Sequence, residues 1–188
     1  MDIIEEYLKN ISQALSEINR HQVFELINCI QNIKLCNGTI YICGNGGSAA
    51  NAAHFANDLS TTTLTRTGKR FNAIALTDSA SILTAISNDI DYSEVFKYQL
   101  IDRISENDLL IGLSGSGKSE NIMKAFQYAR SKMATTCAII GFSGGYLKEL
   151  ADIVIHTPVM NMQISEDIQL IINHVVVTHL LRELEKNI

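Results

Sequence analysis

Five short runs of apolar, β-favouring residues punctuate the chain from residue 39 onward: TIYICG at 39–44, FNAIAL at 71–76, DLLIGLS at 108–114, TTCAIIGF at 135–142 and DIVIHT at 152–157. Within each run the apolar residues are continuous instead of alternating with polar ones, which is the pattern of strands covered on both faces. The windows between them, 48–60, 79–104, 119–132 and 145–150, supply helices on the crossovers. Strands that alternate with helices pair in parallel, because the helix carries the chain back to the same edge before the next strand begins. The pattern therefore predicts an α/β fold: a doubly wound, five-stranded parallel sheet flanked by helices.

Residues 2–36 read as helix. Ile4, Leu8, Ile11, Leu15 and Ile18 recur at alternating four- and three-residue steps, and Val23, Phe24, Ile27 and Ile30 continue the pattern. A stripe this narrow suits a helix packed on its own domain or, ahead of the first strand, a seam between subunits, and the seam is preferred. The expected organisation is a single domain over 1–188, with an N-terminal helical extension at 1–36 for oligomer packing and an α/β core with a final helix at 37–188. Pro158, the only proline, marks the exit from the last strand, and Ser165-Glu166-Asp167 opens a helix to about Lys186, with Ser165 as its expected N-cap.

Composition narrows the function classes. Fifteen Lys and Arg stand against 20 Asp and Glu, a formal net charge of −5, and no basic run supplies an electrostatic footprint for nucleic acid or an anionic membrane. The longest strongly apolar stretch, 168–181, is interrupted by Gln169, Asn173, His174 and His179 and is shorter than the roughly 20 residues that cross a bilayer. MDIIEEYLKN is acidic where a signal peptide is basic, so a soluble cytoplasmic protein is expected. Cys29, Cys36, Cys43 and Cys137 form no CxxC pair and sit in apolar runs, which predicts buried free thiols.

Ligands of open parallel sheets bind beyond the carboxyl ends of the strands. Two loops there carry chemistry. Gly44-Asn45-Gly46-Gly47-Ser48 follows the first run and leads into a helix, so its glycines let backbone N–H groups approach an anion at the helix's positive end. Ser114-Gly115-Ser116-Gly117-Lys118-Ser119 follows the third run and offers three hydroxyls. Neither has the spacing of a nucleotide P-loop or of a dinucleotide fingerprint, and no nucleotide cofactor is expected. One glycine-rich turn alone can be a mere tight connection; two at neighbouring strand ends suggest one pocket for a small phosphorylated ligand.

Three segments, GNGGSAANAAHFANDL, LSGSGKSENI and the Asn88-Asp89 pair within TDSASILTAISNDIDY, resemble the sugar isomerase (SIS) family and, within it, the phosphoheptose isomerase group. The resemblance covers nearly the whole chain. It implies a five-stranded parallel sheet, a homotetramer with sites at subunit boundaries, and conversion of sedoheptulose 7-phosphate to glycero-manno-heptose 7-phosphate, often with Zn²⁺. Carried across residue by residue, it implies substrate contacts at Asn45, Gly46, Gly47 and Ser48, at Asn88 and Asp89, and at Ser114, Gly115, Ser116 and Ser119. His54 matches a metal histidine, Asp58 a catalytic glutamate that also binds metal, and Glu166 and His174 a glutamine and a catalytic histidine eight residues apart. Glu166 thus stands as a substrate, metal and catalytic candidate together. Two departures matter: Asp58 is a methylene shorter than the expected glutamate, and Glu166 puts a carboxylate where an amide is expected. Pairing Gln169 with the glutamine instead would leave Val177 at the histidine position, so the Glu166 register is preferred. Some relatives keep the fold without the activity, so an inactive phosphosugar-binding or replication-initiator-binding regulator is the alternative to an enzyme.

Aldose–ketose isomerisation needs a base beside the carbonyl, an acid for the oxygens and something to stabilise an oxyanion. Asp58 or Glu166 is expected to move the carbon proton and His174 the oxygen proton. His54 and Asp58, four residues apart on a helix, share a face and can grip one ion. Glu166 and His174 are harder to combine, because eight helical residues span about 12 Å. Glu166 joins such an ion only from an irregular cap or from another subunit's helix.

Overall fold

A computed structural model describes residues 2–186. Two helices come first, α1 (Ile3–Ser16) and α2 (Arg20–Leu35). The single helical stretch expected over 2–36 is divided because Asn19 adopts extended backbone and its side chain accepts the N–H of His21 at 3.0 Å, starting a new helix. Asp2 caps α1 in the same manner, accepting the N–H of Glu5 at 2.8 Å.

The sheet has the five strands expected: β1 (Ile40–Gly44), β2 (Ala73–Ala75), β3 (Leu109–Ser114), β4 (Thr135–Ile140) and β5 (Ile153–His156). All pair in parallel in the order β2-β1-β3-β4-β5, with Ile40 opposite both Ala73 and Leu109. Alternate residues of each strand enter two separate cores. Ile40, Ile42, Ile111 and Ile139 face one core, which α2 closes through Leu26 and Ile30. Tyr41, Cys43, Leu110 and Ala138 face the other. Both faces are covered, which is why the runs carry no polar alternation.

The connection after β1 is α3 (Gly47–Asn57), a five-residue π-helical turn at Asp58–Thr62, and α4 (Thr63–Thr67). After β2 come α5 (Ala80–Asp89), a short 3₁₀ turn at Tyr92–Glu94 and α6 (Lys97–Leu100). β3 leads to α7 (Glu120–Ser131), β4 to α8 (Leu147–Leu150) and β5 to α9 (Met162–Glu185). Phe55 of α3 packs into the first core and Phe126 of α7 into the second, so the chain leaves the adjacent strands β1 and β3 toward opposite faces. That divergence opens a crevice at their carboxyl ends, the topological switch point of the sheet.

Two expectations need correction. The final helix starts four residues early: Asn161 is its N-cap, accepting the N–H of Ile164 at 3.1 Å, while Ser165 is buried inside the helix and donates its hydroxyl back to the Asn161 carbonyl at 2.9 Å. The thiols also differ among themselves. Cys43 and Cys137 are buried in strands and Cys29 is half-buried, its thiol pushed up to about 11 by burial, but Cys36 is exposed because it lies past the last buried turn of α2.

Candidate active site

The two loops picked out by sequence meet at the crevice. Gly46 has φ of 57°, a conformation that costs glycine nothing, and turns the chain sharply out of β1 into α3. No side chain caps α3, so its first N–H groups face outward from the loop. On the other side, Ser114 is buried and its hydroxyl accepts the Gly117 N–H at 3.0 Å while lying 3.2 Å from the Ser119 hydroxyl. Ser116 accepts the Lys118 N–H at 3.2 Å. Ser119 is the N-cap residue of α7, but its side chain makes no capping hydrogen bond. Asn45 and Ser48 from one loop and Ser114, Gly115, Ser116 and Ser119 from the other line one cavity of about 100 Å³, closed by Met162 and Glu166 of α9. Two helix N-termini and hydroxyls gathered around a small hollow are an arrangement suited to an anion.

Glu166 belongs to this end of the molecule. Its carboxylate occupies the space where a Cβ on Gly47 would lie, so that a methyl group there would collide with it. The second cluster lies further along α9. His54 from α3, Asp58 from the first residue of the π turn and His174 from α9 bring three ligand atoms together. The two histidine Nε2 atoms are 3.0 Å apart, and Asp58 Oδ2 lies 3.2 Å from that of His54 and 3.9 Å from that of His174. A tetrahedral zinc with bonds of about 2.0 Å would set its ligands about 3.3 Å apart. The triangle therefore fits a divalent ion with nitrogen and oxygen donors. Glu166 is not part of it. Within one chain it lies on regular helix eight residues before His174, about 12 Å away along the axis, so it does not join the cluster from its own α9.

The carboxylate of Asp58 is held from both sides. Thr62, across the π turn, donates its hydroxyl to Oδ1 at 3.1 Å, and the buried Asn173 of α9 donates to Oδ2 at 3.4 Å. A π turn widens the helix by one residue, a distortion that recurs at functional sites. Asn88 and Asp89, at the end of α5, are exposed and bond each other, Asn88 Nδ2 donating to Asp89 Oδ1 at 2.8 Å. Neither is among the residues lining the cavity.

Residues 6–141 match the family described as SIS domain. The phosphoheptose isomerase of Helicobacter pylori strain P12 is 36% identical over 170 residues, 90% of this chain and 86% of the relative. That of a Nitratiruptor species is 34% identical over 90% of each chain. The chain belongs to the SIS-domain family, in its phosphoheptose isomerase group. Solved structures agree: the phosphoheptose isomerase from Francisella tularensis superposes with a TM-score of 0.85 at 26% identity, covering 95% of this chain and 97% of that one, and the Neisseria gonorrhoeae protein with 0.84 at 28%, covering 93% and 92%.

Within this SIS domain, four polar residues surround the site without having been singled out by sequence. Asn51 donates to the Glu166 carbonyl at 2.9 Å and ties α3 to α9. Asn173 steadies Asp58, and Asn121 and Tyr92 both bond Asn45. The residue before His174 is an amide directly after the apolar run Leu170-Ile171-Ile172, which is the available signal for Asn173. Nothing local marks Tyr92.

The turn that carries Tyr92 is fastened to α7 by charge. Lys124 reaches Glu94 at 3.0 Å and the Ser93 hydroxyl as well, and Lys97 reaches Glu94 at 2.9 Å. Hydrogen bonds from Lys97 and Lys124 hold the Glu94 carboxyl below the usual glutamate range, and the bond to Glu94 raises Lys124.

Proposed function

We infer that this chain is a phosphosugar isomerase that interconverts sedoheptulose 7-phosphate and glycero-manno-heptose 7-phosphate through an enediol. The observation that carries the reading is the arrangement along α9: an anion cavity at Glu166 and a cluster of titrating side chains about two turns away at His174. A sugar phosphate is a molecule of that kind, an anion at one end and a carbonyl at the other.

The serine hydroxyls and helix N-termini around the cavity bind the phosphate and fix the register of the carbon chain. Asp58 takes the proton from carbon 1 of the ketose and returns it to carbon 2. His174 moves the other proton, so that oxygen 2 gains one as oxygen 1 loses one and the atoms balance. Asp58 is favoured over Glu166 for the carbon step because it lies within 4 Å of His174, and both groups must reach adjacent carbons. Glu166, beside Gly47, orients the substrate near its phosphate end. Zn²⁺, when bound, would be held by His54, Asp58 and His174 and would supply Lewis-acid polarisation of the carbonyl. Convergence of two imidazoles and a carboxylate also favours an enzyme over a regulator that only binds phosphosugars.

The same reading includes a homotetramer. Ile4, Leu8, Phe24 and Val175 on α1, α2 and α9 are at least half exposed, more apolar surface than a solitary helical layer leaves in water. Among the described residues no helix is long and apolar enough to cross a membrane, and an enzyme of phosphorylated metabolites would work in the cytoplasm.

Incubation with sedoheptulose 7-phosphate in deuterated water, with and without added Zn²⁺, tests the activity. Label is expected at carbon 2 of the aldose product; no exchange across a panel of ketose phosphates would overturn the assignment. Light scattering of the same sample should give a mass near four chains.

A further inference from the structure

Asn45 lines the phosphate cavity, yet its side chain is largely committed elsewhere. Its Oδ1 accepts two hydrogen bonds, from Asn121 Nδ2 at 2.9 Å and from the Tyr92 hydroxyl at 2.8 Å. Its Nδ2 donates one hydrogen to Asn121 Oδ1 at 2.9 Å. The direction of this pair is set by the backbone. The N–H of Ile122 donates to Asn121 Oδ1 at 2.9 Å, which fixes that atom as the oxygen, and the reciprocal pairing then fixes which end of Asn45 is the nitrogen. An amide oxygen has two lone pairs and an amide nitrogen two hydrogens. Both lone pairs of Asn45 are taken, and one hydrogen remains. Asn45 therefore meets a ligand in this cavity as a donor only.

We propose that Asn121 and Tyr92 are positioning residues that lock Asn45 into donating a single N–H to the substrate's phosphate ester. The proposal rests on reading the cavity as the phosphate site. Asn121 is buried at the start of α7, and Tyr92 stands on the turn that Lys124 of the same helix bolts down through Ser93 and Glu94. Both partners of Asn45 thus move with α7. A freely turning amide could present its oxygen to the phosphate and repel it. This one is held against that rotation before the ligand arrives, so the cost of ordering it falls on folding instead of binding.

The test is a double-mutant cycle on the full-length protein, read by steady-state kinetics with sedoheptulose 7-phosphate and by calorimetric titration of inorganic phosphate. Asn121→Leu should raise KM and weaken phosphate binding about tenfold, with kcat held within about threefold, because the lost interaction is present in ground and transition state alike. Tyr92→Phe should give about a threefold effect in the same direction. In an Asn45→Ala background neither substitution should add more than about twofold, since each acts through Asn45. Equal effects in both backgrounds, or no change in KM, would overturn the proposal. If melting shows Asn121→Leu unfolded, Tyr92→Phe carries the cycle alone, because its ring is exposed and its removal leaves only the hydroxyl missing. A wild-type protein that binds phosphate with this coupling but turns over no ketose phosphate would remove the isomerase reading and leave this inference standing. Turnover without the coupling would do the reverse.

Discussion

The two ends of the site along α9 are built from different materials. At the Glu166 end the lining is mostly backbone and hydroxyl: a turn at Gly46, two uncapped helix starts, and serines gathered around a small hollow. At the His174 end it is side chain alone, with the His54 and His174 side chains about half exposed, at 46% and 52%, around an Asp58 that is only 13% exposed. Backbone cradles tolerate little movement and lose affinity when disturbed. Titrating clusters retain affinity and lose rate. On the proposed function, the difference separates binding from chemistry on one helix.

The largest expected effects strike the side-chain end. Asp58→Asn and His174→Ala should each lower kcat by about 10²- to 10⁴-fold with little change in KM, measured by the deuterium-exchange assay. Normal turnover in both would mean that the proton carriers lie elsewhere. A smaller effect of the opposite kind is expected at the cradle. In Gly47→Ala the added methyl meets the Glu166 carboxylate, the far end of a flexible side chain that can swing aside. KM for the phosphosugar should rise several-fold, on the order of 1 kcal/mol of binding, while kcat stays within about threefold. A kcat loss as large as that of His174→Ala would show that Glu166 takes part in the proton transfers and would erase the division between the two ends.

The smallest effect concerns the fastening of the turn at Tyr92–Glu94. The Glu94 pKa is lowered in the folded protein, so its contribution to stability is complete above the ordinary glutamate range and is lost as pH falls through the lowered value. Lys124 is raised, so its contribution is complete below the ordinary lysine range and is lost as pH rises through the raised value. Both groups are close to solvent, and the expected change is modest. Glu94→Gln should flatten the acid side of a melting-temperature profile slightly and leave neutral pH almost unchanged. An unchanged acid limb would show that the turn is held by packing instead of by charge.

Much of this was legible in the chain. Strands covered on both faces write continuous apolar runs, so all five strands were placed to within about two residues, and loops after strands advertise themselves through glycine and serine. The place of the break between α1 and α2 is hidden because the apolar stripe runs on past Asn19, and the capping bond at His21 marks it. Asn161 outcompeted Ser165 as the cap of α9 because Ser165 is packed against the loops beneath it, near Gly141 and Gly115. The meeting of His54, Asp58 and His174 joins residues more than a hundred positions apart, and periodicity carries no information at that range. Family resemblance supplied it, and also named Glu166 as a ligand, which within one chain α9 keeps about 12 Å from His174.

The widened turn at Asp58–Thr62 has a consequence for how the chain can change. One surplus residue in a single turn shifts the phase of everything after it by about 100° relative to an uninterrupted helix. Upstream, the phase aims His54 at His174; downstream, it turns Thr63 and Thr67 inward. Excising one residue here would leave a more regular helix that could satisfy only one of these demands, so insertions and deletions should be tolerated far less in this turn than regularity of structure would suggest.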